Sequence, residues 1–260
     1  TDIAFLGGMI KYILDNKLYF EEYVKHYTNA SFLVNPAFKM PGDNKGVFSG
    51  LTNGKYEKDT WSYQTDAAGV ILKDPSLKNP NCVFQLLKKH YSRYTPELVT
   101  KITGTPTDKL LEVYKIYGST GKPNRAGVDL YAMGWTQHTV GVQNIRTMAI
   151  IQMLLGNIGI AGGGVAAMRG ESNVQGSTDH ALLFHIWPGY LGAPTASLST
   201  LAAYNEKRTP KTKEANSLNW WKNFPKYSAS LLRSFYGLNM PVDEAYRVLP
   251  NWMTALITPG

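Results

Sequence analysis

Cysteine occurs once in the 260 residues, at Cys82. A single thiol closes no internal disulfide, and it cannot by itself build a cysteine-ligated zinc or iron–sulfur site within this chain. Its setting, NCVFQLLKKH, places it among apolar neighbours, where a plain buried thiol is expected. Long apolar runs are also scarce. The best candidate, MAIIQMLLGNIGIAGGG, is broken by Gln152, Asn157 and several glycines, short of the roughly 18 residues that span a bilayer. The opening TDIAFLGGMIKYILDN has no basic leader and no small-residue cleavage site, and it starts with Thr, so a processed chain or a fragment is expected. The histidines, His26, His90, His138, His180 and His185, show neither HxxxH nor HExxH spacing, which gives no support for a metal site. No GxSxG elbow is present, which argues against an α/β-hydrolase. Acidic residues are outnumbered 19 to 27 by Lys and Arg, and the net charge of +8 favours anionic partners: nucleic acid, phosphate cofactors or carboxylates.

Hydrophobic residues make up 43% of the chain, enough for one sizeable core or two smaller ones. Ile3, Leu6, Ile10, Ile13 and Leu14 recur at three- and four-residue steps behind Thr1 and Asp2, which predicts a capped amphipathic helix. YFEEYVKHYT predicts a shorter helix. Residues 34 to 60, rich in Pro, Gly and Asn, predict a long loop or hairpin, and CVFQLLKKHYSRY returns to helical spacing. Thr95 with Pro96 and Thr107 with Asp108 open two more short helices, which Gly104 and Gly118 close. The run VDLYAM (128 to 133) reads as a buried strand, Gly134 to Gly141 as a loop and VQNIRTMAIIQMLLGN as a helix. Strand, glycine-bearing loop and helix form the unit of an α/β nucleotide-binding layer. From about residue 190 the chain turns basic, aromatic and poorly periodic; Trp220, Trp221 and Tyr227 are expected to pack on the rest of the protein, with nucleic-acid stacking as the competing reading.

Two stretches carry candidate chemistry. GWTQHTVG stands where the amides of a strand-to-helix turn would face an anion, although it is neither GxGxxG nor GxxxxGK[ST], and strand-loop-helix units without ligands are common. RGESNVQGSTDH is a polar run between apolar segments, with Arg169, Glu171, Ser172, Asn173, Gln175, Ser177, Thr178 and Asp179 offering donors and acceptors. Arg169 could fork onto a carboxylate or phosphate. A ligand cradle and a polar turn capping the next helix both remain open on composition alone, with the apolar flanks favouring a buried, satisfied network.

Together these stretches, in AMGWTQHTVGVQNIRTMAIIQMLLGNIGIAGGGVAAMRGESNVQGSTD, closely resemble the catalytic (alpha) subunit of molybdenum- or tungsten-dependent formate dehydrogenase, of the molybdopterin oxidoreductase family. The resemblance extends from TDIAFLGGMIKYILDN to NWWKNFPKYSASLL and corresponds to the middle of that subunit in its respiratory, periplasm-facing branch. It implies an α/β fold: a Rossmann-like layered domain over 1–170, binding molybdopterin guanine dinucleotide, and the start of a second α/β cofactor-binding domain over 171–260, with a basic aromatic insertion. It implies a bis-molybdopterin guanine dinucleotide centre holding Mo or W. Thr1 and Asp2 would contact one guanine dinucleotide, and Met133, Gly134, Trp135, Thr136 and Gln137 would lie against the same cofactor. Arg169 would hold formate and orient its C–H bond, with Gly170, Glu171, Ser172, Asn173 and Gln175 beside the cofactor.

The family's [4Fe–4S] cysteines and its selenocysteine- or cysteine-His pair have no counterpart in these residues, so a middle fragment, inactive alone, is expected. Expected partners are formate and an iron–sulfur electron-transfer subunit, with a membrane cytochrome subunit as a further candidate and no nucleic acid. A different molybdopterin oxidoreductase, such as a nitrate reductase, is the nearest alternative; a non-enzymatic basic binding module is a more distant one.

Overall fold

The computed structural model describes residues 1–122, 124–171, 173–180, 186–187, 191–192, 194–212 and 217–248. The chain divides into two compact units, Thr1–Arg169 and Gly170–Gly260.

The first unit begins with α1 (Asp2–Asp15) and α2 (Glu21–Tyr27). The turn-rich stretch that follows holds a 3-10 turn at Pro41–Asp43 and a small hairpin, β1 (Leu51–Thr52) with β2 (Lys55–Tyr56). Then come α3 (Val83–Tyr91), α4 (Pro96–Thr103) and α5 (Thr107–Gly118). Thr95 caps α4 as its spacing predicts, accepting from the Leu98 amide, and Gly104 ends the helix in the left-handed conformation. The rest of the unit is one parallel βαβ arrangement: β3 (Val128–Tyr131), the short α6 (Met133–Thr136), α7 (Gly141–Leu155) and β4 (Gly164–Ala167). Strands β3 and β4 run in parallel, with Val128 opposite Gly164 and Tyr131 opposite Ala167. The fold is thus mixed α and β, and the stretch expected to be loop, 134 to 141, contains part of a helical turn.

One core serves this unit. Leu6, Ile10, Ile13 and Leu14 of α1 bury against Met148, Ile151, Leu154 and Leu155 of α7, with Val99, Leu110 and Tyr114 closing the sides and Cys82 buried among them. Tyr114 stands so close to α1 that a Cβ on Gly8 would lie 2.5 Å from its hydroxyl, so only glycine fits there. The strand VDLYAM departs from its expectation of full burial. Asp129 and Tyr131 face the helices, while Val128 and Leu130, 41% and 56% exposed, lie on the opposite face. Parallel sheets are ordinarily covered on both faces, and here the described residues cover one.

Gln152 and Asn157, which interrupted the apolar run in the sequence, are both fully buried and join the strands to α7. The Gln152 Nε2 donates to the carbonyls of Gly127 (3.0 Å) and Gly164 (2.6 Å), the residues at the entry to β3 and β4. Asn157 Nδ2 donates to Gln152 Oε1 and Thr120 Oγ1, and its Oδ1 accepts from the Gly127 amide. Every polar group of the two amides that these bonds involve is satisfied without water, as burial requires.

The second unit holds α8 (Val174–Asp179), a strand pair β5 (Ile186–Trp187) and β6 (Leu191–Gly192), α9 (Leu201–Arg208), α10 (Phe224–Tyr236) and a helical stretch at 242–248. Its core is Leu201, Tyr204, Phe224, Leu232, Ala245 and Tyr246. Trp220, Trp221 and Tyr227 do not pack inward as expected: they are 73%, 55% and 41% exposed, the two tryptophans in the 3-10 turn Trp220–Asn223 ahead of α10 and Tyr227 on α10, whose inward face is taken by Phe224, Ser228 and Leu232.

Two outcomes follow for stability. Gln152→Ala removes the side-chain donor to the Gly127 and Gly164 carbonyls and leaves Asn157 without its Gln152 partner, and urea denaturation should show a loss of about 3 kcal/mol. Asp74 anchors the turn after it: the Ser76 hydroxyl first, then the amides of Asn79, Ser76 and Lys78, hold its carboxyl down to about 2. An unfolded aspartate titrates near about 3.9. The turn's contribution is therefore complete above that pH and is lost as pH falls toward about 2, which amide shifts of residues 74–79 would follow by NMR.

Candidate functional site at the carboxyl end of the strand pair

In open α/β layers, ligands bind outside the carboxyl ends of the strands, where helix amino ends supply unpaired amides. In the first unit, the sequence-nominated residues gather at that end. β3 leaves at Tyr131 and enters α6, which carries Met133, Gly134, Trp135 and Thr136, with Gln137 at its C-cap. β4 leaves at Ala167, and the Met168 amide donates to the Tyr131 carbonyl at 2.7 Å, so Arg169 follows directly on the paired strand end. Met133 and Arg169 therefore stand two residues beyond the ends of neighbouring strands. Both are exposed.

α1 arrives at the same place. It runs alongside α7 in the same direction: the Phe20 amide, just past α1, donates to the Leu154 carbonyl near the end of α7, while Asp2 at the start of α1 meets His138 just before α7 begins. The His138 Nε2 lies 2.8 Å from the Gly134 carbonyl and 3.5 Å from the Asp2 carboxylate. Thr1 donates its hydroxyl to the other oxygen of Asp2 at 3.3 Å. Thr1 is the N-cap of α1, as expected, but its side chain does not cap the helix; α7 likewise has no side-chain cap. Two helix amino ends thus meet here without caps from their own N-cap side chains, an arrangement suited to an anion.

The α6 loop is held by residues the motif search did not select. Asn144, one turn into α7 and buried, donates Nδ2 to the Trp135 carbonyl at 3.1 Å. A Cβ on Gly141 would fall 2.1 Å from the Thr136 carbonyl oxygen, so the return of the chain into α7 requires glycine. Trp135 packs its ring against the core, and Gln137 Nε2 reaches the Met133 sulfur at 3.3 Å. The signal for Asn144 was a polar residue on the buried stripe of α7; the signal for Gly141 was only its place in a glycine-bearing loop.

The remaining nominated residues belong to the second unit. Gly170, Glu171 and Asn173 precede α8, and Gln175 lies in its first turn. The Glu171 carbonyl accepts from the Val174 amide at 3.2 Å, and Asn173 from Ser177 at 2.9 Å, so this stretch winds into a helical turn. Ser172 lies outside the described residues. Among the described residues, no group of three or more His, Cys, Asp and Glu could hold a metal ion.

No family model matches the chain. Over 252 residues it is 55% identical to the formate dehydrogenase subunit alpha of Megalodesulfovibrio gigas, covering 96% of the chain and 24% of that protein. It is 54% identical over 254 residues, again 96% of the chain and 25% of the relative, to formate dehydrogenase 2 subunit alpha (cytochrome c-553) of Nitratidesulfovibrio vulgaris. A more distant relative, the F420-dependent formate dehydrogenase 1 subunit alpha of Methanococcus maripaludis, is 36% identical over 166 residues, 64% of the chain and 22% of that protein. The chain spans about a quarter of the length of the curated relatives it matches.

The geometry of the α6 loop is open to direct test. Gly141→Ala should cost about 1–3 kcal/mol. It should also speed amide exchange in residues 133–138 while leaving 164–167 protected.

Proposed function

We propose that this chain, homologous over nearly all of its length to formate dehydrogenase alpha subunits, is the part of such a subunit that seats a guanine dinucleotide and presents Arg169 to formate. The observation that carries the proposal is the 55% identity to a formate dehydrogenase alpha subunit over 96% of the chain. The convergence of Thr1, Asp2, Met133–Gln137 and Arg169 at one end of the β3–β4 pair supports it. The β3–α7–β4 unit is then one part of the Rossmann-like layer of the molybdopterin oxidoreductase fold, and the second unit begins a further α/β cofactor-binding domain.

The residues present fit such a cofactor. The amino ends of α1 and α7 favour a diphosphate through their free amides and their dipoles. The Asp2 carboxylate is an acceptor only, matched to the ring N–H and exocyclic amine donors of guanine. When bound, a bis-molybdopterin guanine dinucleotide centre with Mo or W supplies the two-electron acceptor.

Formate becomes carbon dioxide when its C–H bond gives up two electrons and one proton, so its carboxylate oxygens need no proton. They need a fixed position. A guanidinium donates two parallel hydrogen bonds to a carboxylate, and Arg169 in this role holds the anion and aims its C–H bond. The net charge of +8 favours the approach of such an anion. Electrons leave through an iron–sulfur chain. The relatives' names differ in the carrier they mention, cytochrome c-553 in one and F420 in the other, so the same formate chemistry is proposed to serve more than one electron acceptor. A periplasm-facing, membrane-associated complex is the setting proposed with it.

Formate should reduce a redox dye in the presence of the native protein, whereas nitrate should not reoxidise the reduced dye. The opposite pattern would replace formate dehydrogenase with an oxyanion reductase. In the same protein, Arg169→Ala should lower formate turnover by about a hundredfold or more with metal content unchanged. Unaltered kinetics would remove Arg169 from substrate binding.

A further inference from the structure

We propose that His138 is a positioning residue, which locks the Asp2 carboxylate in the orientation needed to receive a guanine base. This deepens the function proposed above and rests on it. Three groups meet at the imidazole. His138 belongs to the segment between α6 and α7, its Nε2 lies 2.8 Å from the Gly134 carbonyl in α6, and the same nitrogen lies 3.5 Å from Oδ2 of Asp2 at the start of α1. A carbonyl oxygen can only accept, so the Gly134 contact places the proton on Nε2. Oδ2 of Asp2 lies beside that bond, 3.5 Å from the same nitrogen, so the ring packs against one side of the carboxylate.

The consequence is a bridge between two chain segments that are 136 residues apart in sequence, as the numbers of Asp2 and His138 give. Asp2 opens the first turn of α1, and among the described residues no side chain of the helix itself is bonded to its carboxylate. With Oδ1 accepting from Thr1 at 3.3 Å and Oδ2 facing His138, both oxygens are turned to fixed directions. A carboxylate oxygen has two acceptor directions, so one on each oxygen stays open for a ligand donor. Guanine presents two adjacent donors, a ring N–H and an exocyclic amine, spaced for the two oxygens of one carboxylate. Orientation of the carboxylate then decides how well the base is held, and His138 sets that orientation without touching the reacting atoms. The bridge also ties the α6 turn, with Met133 and Gln137, to the amino end of α1, so the residues nominated for one dinucleotide keep a common geometry.

The test uses the native protein purified with its cofactor, and reads guanine nucleotide retained after gel filtration along with turnover per retained cofactor. His138→Ala should speed nucleotide loss about threefold to fivefold, the scale of one partly exposed polar contact. Turnover per retained cofactor should be unchanged. His138→Gln, which keeps a side-chain N–H donor, should restore most of the retention. Asp2→Asn should lose retention to a similar degree, and adding His138→Ala to it should cost little more, because the two act as one unit. Equal retention in wild type and His138→Ala, or full additivity with Asp2→Asn, would overturn the positioning role while leaving the dinucleotide site standing. Native protein containing no guanine nucleotide would overturn both.

Discussion

The arrangement of the first unit depends on one buried amide. Gln152 donates to the backbone carbonyl at the entry of each of two parallel strands, and Asn157 closes the network behind it. A parallel pair of four residues each has few ladder bonds of its own, so its register needs such an anchor. With the entries fixed, the exits are fixed too, and all of the nominated residues of this unit stand at or beside the exits. The same helix that carries Gln152 carries Asn144, which holds the α6 turn at the far end. Eight residues of helix separate them, about 12 Å. α7 acts as a ruler between a structural end and a functional end.

What the functional end offers is backbone and orientation more than reactive side chains. α1 and α7 lie side by side in the same direction because Leu6, Ile10 and Ile13 share a core with Met148, Ile151 and Leu155. Parallel packing brings their amino ends together, with dipoles of the same sign. Such an alignment is unfavourable alone and favourable around an anion. The core thus determines the electrostatics of the site. Arg169 adds a positive charge, placed by the Met168 to Tyr131 hydrogen bond at the strand exit. Seating an anion and a nucleotide, as proposed above, asks for this combination.

Much of this was legible in the sequence, for identifiable reasons. Helices α1, α4 and α7 announced themselves by apolar spacing and by Thr95, Pro96 and Gly104 at their ends. The strand-loop-helix order from Val128 onward marked the βαβ unit, and the resemblance named the loops. Gln152 and Asn157 were visible only as interruptions of an apolar run; besides each other and Thr120, their partners are the carbonyl and amide of Gly127 and the carbonyl of Gly164, backbone groups that no side-chain pattern records. The need for glycine at 141 comes from a contact with the Thr136 carbonyl, again backbone. Burial misled in two places. VDLYAM, a short and mostly apolar run, read as a buried strand, yet the face of Val128 and Leu130 lies open. Trp220 and Trp221 were expected to pack on the rest of the protein, but they stand exposed in the turn ahead of α10, whose inward positions are filled by Phe224 and Leu232.

The central claim is that a guanine nucleotide is held where the amino ends of α1 and α7 meet the strand exits. Hydrogen exchange of the native protein, compared with and without its bound nucleotide, tests this directly. The account predicts added protection at residues 2–5, 133–141 and 168–169, with none at the opposite end around 120–127 and 157–164. Protection at the Gln152 end, or an exchange pattern indifferent to the nucleotide, would contradict it.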